Sequence, residues 1–510
     1  MDEPQEVSRG HSTGERKKNI RKGRTVTNFS DERRSGNAKK AENCQAGCSC
    51  EDKLEAESTM KAPSIAHTEN AGEERAQTLL ECILTRANMA EAYKRVVKNG
   101  GASGIDGMTV QAMYGHLKEH YPELIQSLYD GSYRPQAVKR VEIPKADGGK
   151  RKLGIPTVID RMIQQAISQV LTPIFEKQFS DGSYGFRKGR SAHQAIEQAR
   201  IYYEQGYKVS VDIDLAKYFD TVNHNLLIKM LREEIKDERV IRLIRKYLQS
   251  GVMENGLISS TTEGTPQGGN LSPLLSNIYL TKFDKLLESR GHKFVRYADD
   301  CNIYVKSARA AQRVMGNCVN YLEGTLKLKV NQKKSCIGSP TKLKFLGFSL
   351  YPSKGETKIR AHEQSLKRFK DKIRKLTARN QGRSIETIML NLRKYTTGWL
   401  GYYAIAEMKS AMLQLTGWIR RRIRQIYWKQ WKRIWPKYKN LRQLGIHHRD
   451  AWRWANSRLG CWHIARTWIL TTSLTNKYLA SQGYDDILLR YEAMRARYRT
   501  AVYRTVRTVV

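Results

Sequence analysis

The sequence predicts an α+β body followed by an all-helical C-terminal region, and three patterns carry that prediction. Lys208 to Asp214 alternates Val209, Val211 and Ile213 with Ser210, Asp212 and Asp214, the two-residue period of a half-buried strand. Phe294 and Val295 precede Tyr297-Ala298-Asp299-Asp300, and Ile303, Tyr304 and Val305 follow it. That arrangement reads as a β-hairpin with two carboxylates at its tip. Beyond about residue 360, apolar residues recur at helical spacing in a strongly basic background. Between residues 75 and 350 strands and helices mix irregularly, which favours α+β over a doubly wound sheet.

Residues 1–72 are rich in Lys, Arg, Glu, Ser, Gly and Asn and poor in large apolar side chains. Such a segment cannot bury enough surface to offset its ordering entropy, so a disordered basic tail is expected. It either holds RNA loosely or has no specific role. Cys44, Cys48 and Cys50 cluster there without an evident fourth ligand, which favours free thiols over a zinc site. Leu79, Leu80, Ile83 and Leu84 open the globular part at helical spacing, and Asn99 to Gly107 is a glycine-rich loop. Val138 to Ile143 is a short strand, and the Asp147-Gly148-Gly149 turn leads into Lys150-Arg151-Lys152. Helices are expected over Arg161–Phe175 and Ala192–Tyr203.

In the C-terminal region Leu366, Phe369, Ile373 and Leu376 form one apolar stripe, and Ile385, Ile388, Met389, Leu392 and Trp399 another. A third helix is expected from Ala411 to Trp435. It carries Arg420, Arg421, Arg422, Arg424, Lys429, Lys432 and Arg433 among Trp418, Tyr427, Trp428, Trp431 and Trp435. The tryptophans read equally well as core or as contact surface; the cations are expected to face RNA phosphates. The resulting division is a tail (1–72), an α+β body (75–350), a helical region (360–440) and a C-terminal helical extension (441–510).

A chain of 510 residues suits two to four domains. Its 90 Lys and Arg against 50 Asp and Glu give a net charge of +40, which points to a polyanionic partner, nucleic acid above all. The 26 Tyr and 9 Trp, interleaved with the basic residues, suit contact with unstacked bases. No apolar run is long enough for a bilayer, and the first residues lack the apolar core of a signal peptide, so no membrane partner is expected. The eight cysteines are scattered rather than arranged as a disulfide framework, which fits a reducing, intracellular compartment.

Carboxylates brought together from two strands are what a pair of Mg²⁺ ions needs to clamp the attacking and leaving oxygens of a phosphoryl transfer. A nucleic acid polymerase is therefore the first expectation. The collinear motifs agree. Gly264-Thr265-Pro266-Gln267-Gly268-Gly269-Asn270-Leu271-Ser272-Pro273, Tyr297-Ala298-Asp299-Asp300 and Asp214-Leu215-Ala216-Lys217-Tyr218-Phe219-Asp220 resemble three conserved blocks of reverse transcriptases. Ile143-Pro144-Lys145 with Arg151-Lys152-Leu153-Gly154-Ile155-Pro156 and Asp160-Arg161, and then Ser183-Tyr184-Gly185-Phe186-Arg187, resemble the first two blocks of group II intron reverse transcriptases. Asn331 to Lys334 and Phe345-Leu346-Gly347-Phe348 resemble the last two. Gly398-Trp399-Leu400-Gly401-Tyr402-Tyr403 and Gly417-Trp418-Ile419-Arg420-Arg421-Arg422 resemble the maturase domain of the same family.

That resemblance implies a right-hand polymerase, with fingers and palm followed by a helical thumb and maturase region. It makes Asp214, Asp299 and Asp300 the catalytic carboxylates and the ligands of two Mg²⁺ ions. Asp214 is chosen because the family places the ligand five residues before the aromatic at Phe219; Asp212 is then structural. It sets Lys145, Arg151 and Arg161 on the incoming triphosphate and Gln267 against the nucleotide sugar. Phe219 either blocks a ribose 2′-OH or is core, and Lys334 either donates a proton to pyrophosphate or is a surface lysine. The implied partners are dNTPs, an RNA template with a DNA primer, intron RNA and target DNA, in the bacterial cytoplasm and at the nucleoid when DNA-bound. Only Cys461 lies beyond Cys336, and His447, His448 and His463 have no partner cysteines, so an endonuclease-lacking form is expected, with Leu441 to Tyr484 in the C-terminal extension either contacting DNA or extending the thumb. A splicing-only maturase and a polymerase recruited to phage defence are the competing readings.

Overall fold

Among the described residues the strands assemble into two four-stranded sheets and a hairpin. The computed structural model describes residues 78–144, 149–254, 256–265 and 268–507. Lys145 and Gln267 lie outside those residues, as do the N-terminal tail and Cys44, Cys48 and Cys50. The described residues belong to one unit that begins at Arg75.

The fingers sheet has the order β2-β1-β4-β5, from β1 (Val138–Pro144), β2 (Lys150–Ile155), β4 (Val252–Glu254) and β5 (Leu257–Ser259). The palm sheet has the order β6-β7-β3-β8, from β3 (Val209–Ile213), β6 (Lys293–Tyr297), β7 (Asp300–Val305) and β8 (Cys336–Gly338). A separate hairpin pairs β9 (Phe348–Ser353) with β10 (Glu356–Ala361). Helices and strands thus mix without a βαβ repeat, the α+β arrangement expected.

Strand alternation decides which face of the palm is which. Val211, Ile213, Cys301, Ile303 and Val305 point into a core shared with the fingers helices. Val295 and Tyr304 point the other way, into a second core that extends through the C-terminal helices. Helix Val158–Glu176 crosses the first core; Thr157 caps it by accepting from the Asp160 N–H. Asp160 is buried and accepts from the Tyr133 hydroxyl at 2.8 Å, which ties the entry of β1 to this helix.

The long basic helix ends sooner than its pattern predicts. It spans Lys409–Gln430, and a second helix follows at Ile434–Gln443, so the expected single helix to Trp435 is corrected. Pro436 explains the break: it has no N–H for the Lys432 carbonyl, and its ring would clash there in a continuous helix. Lys432 takes a left-handed φ of 46° in the bend. The second helix tolerates the proline in its first turn. The last helix, Ile487–Arg507, contributes Tyr491 to the same core as Ile419 and Ile423 of the basic helix.

Candidate active site

Two strands and one turn bring carboxylates to one end of the palm sheet. β3 runs antiparallel to β7 with Asp212 opposite Asn302 and Ile213 opposite Cys301. One step further, the same register sets Asp214 opposite Asp300. Asp299 sits in the turn of the β6–β7 hairpin, which the Tyr297–Asp300 pair closes. The sequence-predicted trio is therefore brought together, and Asp212 joins it on the same face.

These charges are poorly compensated. Burial first, then Asp300 and Asp214, push the Asp212 carboxyl up to about 7. Burial, Asp299 and Asp214 push Asp300 up to about 6, although its side chain is open to water, which screens part of the effect. Burial and Asp214 also raise Asp299, against the pull of Arg151 and Arg296. No Lys or Arg makes an ion pair with any of the four carboxylates among the described residues. Asp214 is instead oriented by neutral groups: Asn331 Nδ2 donates to its Oδ1 at 3.1 Å, and its own N–H donates to Ser335 Oγ at 3.0 Å. Among the described residues, no three acidic, His or Cys side chains close on one point as a ready-made metal cage. Mg²⁺ asks for no such cage; one or two carboxylates, substrate phosphates and water suffice.

The turn that carries Asp299 is held by residues that the sequence reading missed. Arg296 is 1% exposed and forms a two-pronged ion pair with Asp284, Nε to Oδ1 at 2.7 Å and Nη2 to Oδ2 at 2.5 Å. Its Nη1 donates to the Ala298 carbonyl at 2.9 Å and to Asn277 Oδ1 at 3.1 Å. Ala298 has a left-handed φ of 58°, which a residue with a Cβ adopts only when held there. Gly185 completes the clamp: a Cβ on it would stand 2.3 Å from the Ala298 nitrogen. An arginine inside the run Phe294-Val295-Arg296-Tyr297 was the available signal, because a buried charge requires a buried partner.

On the fingers side, Arg151 of β2 is exposed and its charge acts on Asp299, so it faces the carboxylates. Lys334 is likewise exposed and acts on Asp300. Gly268, at φ 119°, lies against β2: a Cβ there would meet the Gly154 carbonyl at 2.4 Å. Phe219 is half-buried beside Tyr218, and its carbonyl accepts from the Thr265 N–H at 2.6 Å. Arg161 departs from expectation. It is buried and donates to the carbonyls of Gly100 (3.2 Å) and Ala102 (2.7 Å), so its guanidinium shapes the glycine-rich loop.

Comparison with known proteins agrees with this geometry. Residues 143–350 match the reverse transcriptase (RNA-dependent DNA polymerase) family model, and residues 366–445 match the group II intron, maturase-specific domain. Protein YkfC of Escherichia coli strain K12 is 35% identical over 303 residues, covering 52% of this chain and 80% of that protein. The chain belongs to the group II intron reverse transcriptase and maturase family. It is an RNA-directed DNA polymerase by that membership. The group II intron-encoded protein LtrA of Lactococcus lactis subsp. cremoris is 41% identical over 206 residues, 40% of this chain but only 34% of that protein. A partial Cas6-RT-Cas1–Cas2 complex shares 24% identity at a TM-score of 0.32, covering 51% of this chain and 46% of that one. That likeness is too distant to bear on the site. Among the described residues no helix is long and apolar enough to cross a membrane.

The maturase-domain arginines require a correction. Arg420 pairs with Asp486. Arg421 donates to the Trp462 carbonyl at 2.8 Å and lies over its ring at 3.8 Å. Arg422 donates to Thr377 Oγ1 at 2.5 Å and to its carbonyl at 3.2 Å. Arg424 is buried and donates to the Leu474 carbonyl at 3.0 Å. These four join helices to one another instead of lining an open RNA face. Burial lowers Arg422 and Arg424, the mark of cations inside a domain. Lys429, Lys432 and Arg433, at the helix break, are the exposed members of the set.

Proposed function

We propose that this reverse transcriptase extends a DNA primer on an RNA template with dNTPs, and that it also binds intron RNA, supports its splicing and carries it to a DNA target. The observation that carries the proposal is the convergence of Asp214, Asp299 and Asp300 at the mouth of the β3–β7 pair, with too little positive charge nearby to neutralise them.

Asp214 and Asp299, with Asp300 beside them, would hold two Mg²⁺ ions. Bound there, the ions supply a more acidic primer hydroxyl and a counter-charge for the departing pyrophosphate. The chain's own residues do the rest. Asn331 and Ser335 fix Asp214, and Arg296 and Gly185 fix the turn of Asp299. Arg151 and Lys334, with Lys145, offer cations to the triphosphate. Phe219, half-buried on the palm, would meet the sugar, and Gln267 would contact the same sugar. Arg161 acts at one remove, by holding the loop at Gly100–Ala102. Splicing support is a binding role, and the exposed Lys429, Lys432 and Arg433 would meet RNA. The bacterial cytoplasm and the nucleoid are the corresponding locations.

The test pairs primer extension on a primed RNA template with splicing of the flanking intron RNA. Asp214→Ala should abolish extension and leave RNA binding intact. Extension that survives in this variant would remove the metal assignment; splicing unchanged by wild-type protein would remove the maturase role.

A further inference from the structure

The geometry points to a base-stacking platform on the helix pair Ile434–Gln443 and His448–Ala455, built to take unpaired nucleotides from a loop of folded RNA. The inference rests on the proposed RNA-binding function. It places the contact on a surface that runs past residue 445, where the match to the maturase-specific domain ends.

The pair is anchored by one face only. Leu441, Ile446, Ala451 and Ala455 are buried, and Leu441, Ile446 and Ala451 belong to the C-terminal core. The other face carries rings that this packing does not need. Trp435 is 64% and Trp452 49% exposed. They flank Tyr438: Trp435 stacks on it with centroids 5.3 Å apart, and Trp452 meets it edge-on at 5.7 Å. The Tyr438 hydroxyl and His448 Nδ1 share a hydrogen bond at 2.8 Å, which fixes the central ring. The result is a preordered row of aromatic faces in water.

Charge complementarity selects the occupant. Between residues 433 and 458, Asp450 is the one acid; Arg442 donates to the Ile446 carbonyl and Lys437 lies over the Trp428 ring, while Arg433, Lys439, Arg449, Arg453 and Arg458 are exposed. Exposed rings among cations fit a strand whose bases stack on the rings while its phosphates meet Lys and Arg. A duplex keeps its bases stacked inside and offers nothing to Trp435 or Trp452. Folded RNA displays splayed bases in loops and bulges, the form in which aromatic side chains read it.

The experiment uses the full chain and a stem-loop RNA with 2-aminopurine at one unpaired position. The comparators are the same RNA closed into a continuous duplex and a DNA stem-loop of the same sequence. Wild-type protein should quench the 2-aminopurine and bind the loop RNA at least about tenfold more tightly than the closed duplex. W435A with W452A should lose the quenching and the loop preference, and W435F with W452F should keep most of both. Primer extension should be unchanged in all of them. Equal binding of loop and duplex, a double-alanine variant that behaves as wild type, or DNA bound as tightly as RNA would each overturn the platform. Wild-type protein that extends primers and binds RNA without loop preference sinks the platform alone. Protein that neither extends nor binds RNA sinks the underlying function as well.

Discussion

The palm and the maturase region handle charge in opposite ways. At the mouth of the palm, Asp212, Asp214, Asp299 and Asp300 crowd together without an ion-pair partner among the described residues, and repulsion and burial raise Asp212 and Asp300 to about 7 and 6. In the maturase region Arg420, Arg422 and Arg424 find partners within the domain. Density of like charge is thus a poor guide to contact with a substrate. What marks a working charge is that the fold leaves it unsatisfied, at a cost in stability, so that a ligand can satisfy it.

The comparison breaks most readily at Gly185. A Cβ there must displace Ala298, and a misplacement of about 1 Å at a reacting centre costs on the order of a hundredfold. Gly185→Ala should lower kcat for primer extension by about that factor with KM for dNTP nearly unchanged, as steady-state kinetics would show. An equal rise in KM would mean that the turn binds substrate but does not orient Asp299.

In the maturase region the expected loss is of stability. Arg424→Ala leaves the buried Leu474 carbonyl without its donor and should cost about 2–3 kcal/mol in urea unfolding. Replacing Lys429, Lys432 and Arg433 together by Gln should leave stability within about 0.5 kcal/mol. It should instead flatten the salt dependence of RNA affinity, lowering the log–log slope by roughly 2. If the two results were exchanged, the division between internal and outward-facing cations would be wrong.

The smallest effect sharpens the palm side. Asp212 has a folded pKa above its unfolded value, so its ionisation penalty is absent below the usual carboxylate range, grows as pH rises, and is complete above about 7. Asp212→Asn keeps an acceptor for Asn302 and removes the charge. Without Mg²⁺ it should stabilise the protein by about 1–2 kcal/mol at pH 8, allowing for solvent screening, and by nothing at pH 4. Thermal melts at the two pH values would decide it; an equal gain at both would make the effect one of packing.

The carboxylates proposed to hold the metal ions were legible because their signals are local. Alternation over Val209–Asp214 sets the face of Asp214, and two acids between apolar runs mark a hairpin tip. Gly268 of the Pro-Gln-Gly-Gly run packs on Gly154, a close approach that glycine permits and that its residue type makes legible. Arg296 was not legible in its role, because its partners Asp284, Asn277 and Ser183 are separated from it in sequence and meet only in the folded core. The apolar spacing from Ala411 continues through Trp435 and predicts a longer helix than the one observed, because Pro436 acts one turn earlier, on the carbonyl of Lys432.

By itself the sequence determined the α+β body, the family and which three acids the palm brings together, since strand period, turn chemistry and collinear motifs are written in neighbouring residues. Tertiary structure alone decided which cations are free. A guanidinium reports its partner only when distant helices meet, and Trp462, Thr377, Leu474 and Asp486 each come from a segment far along the chain.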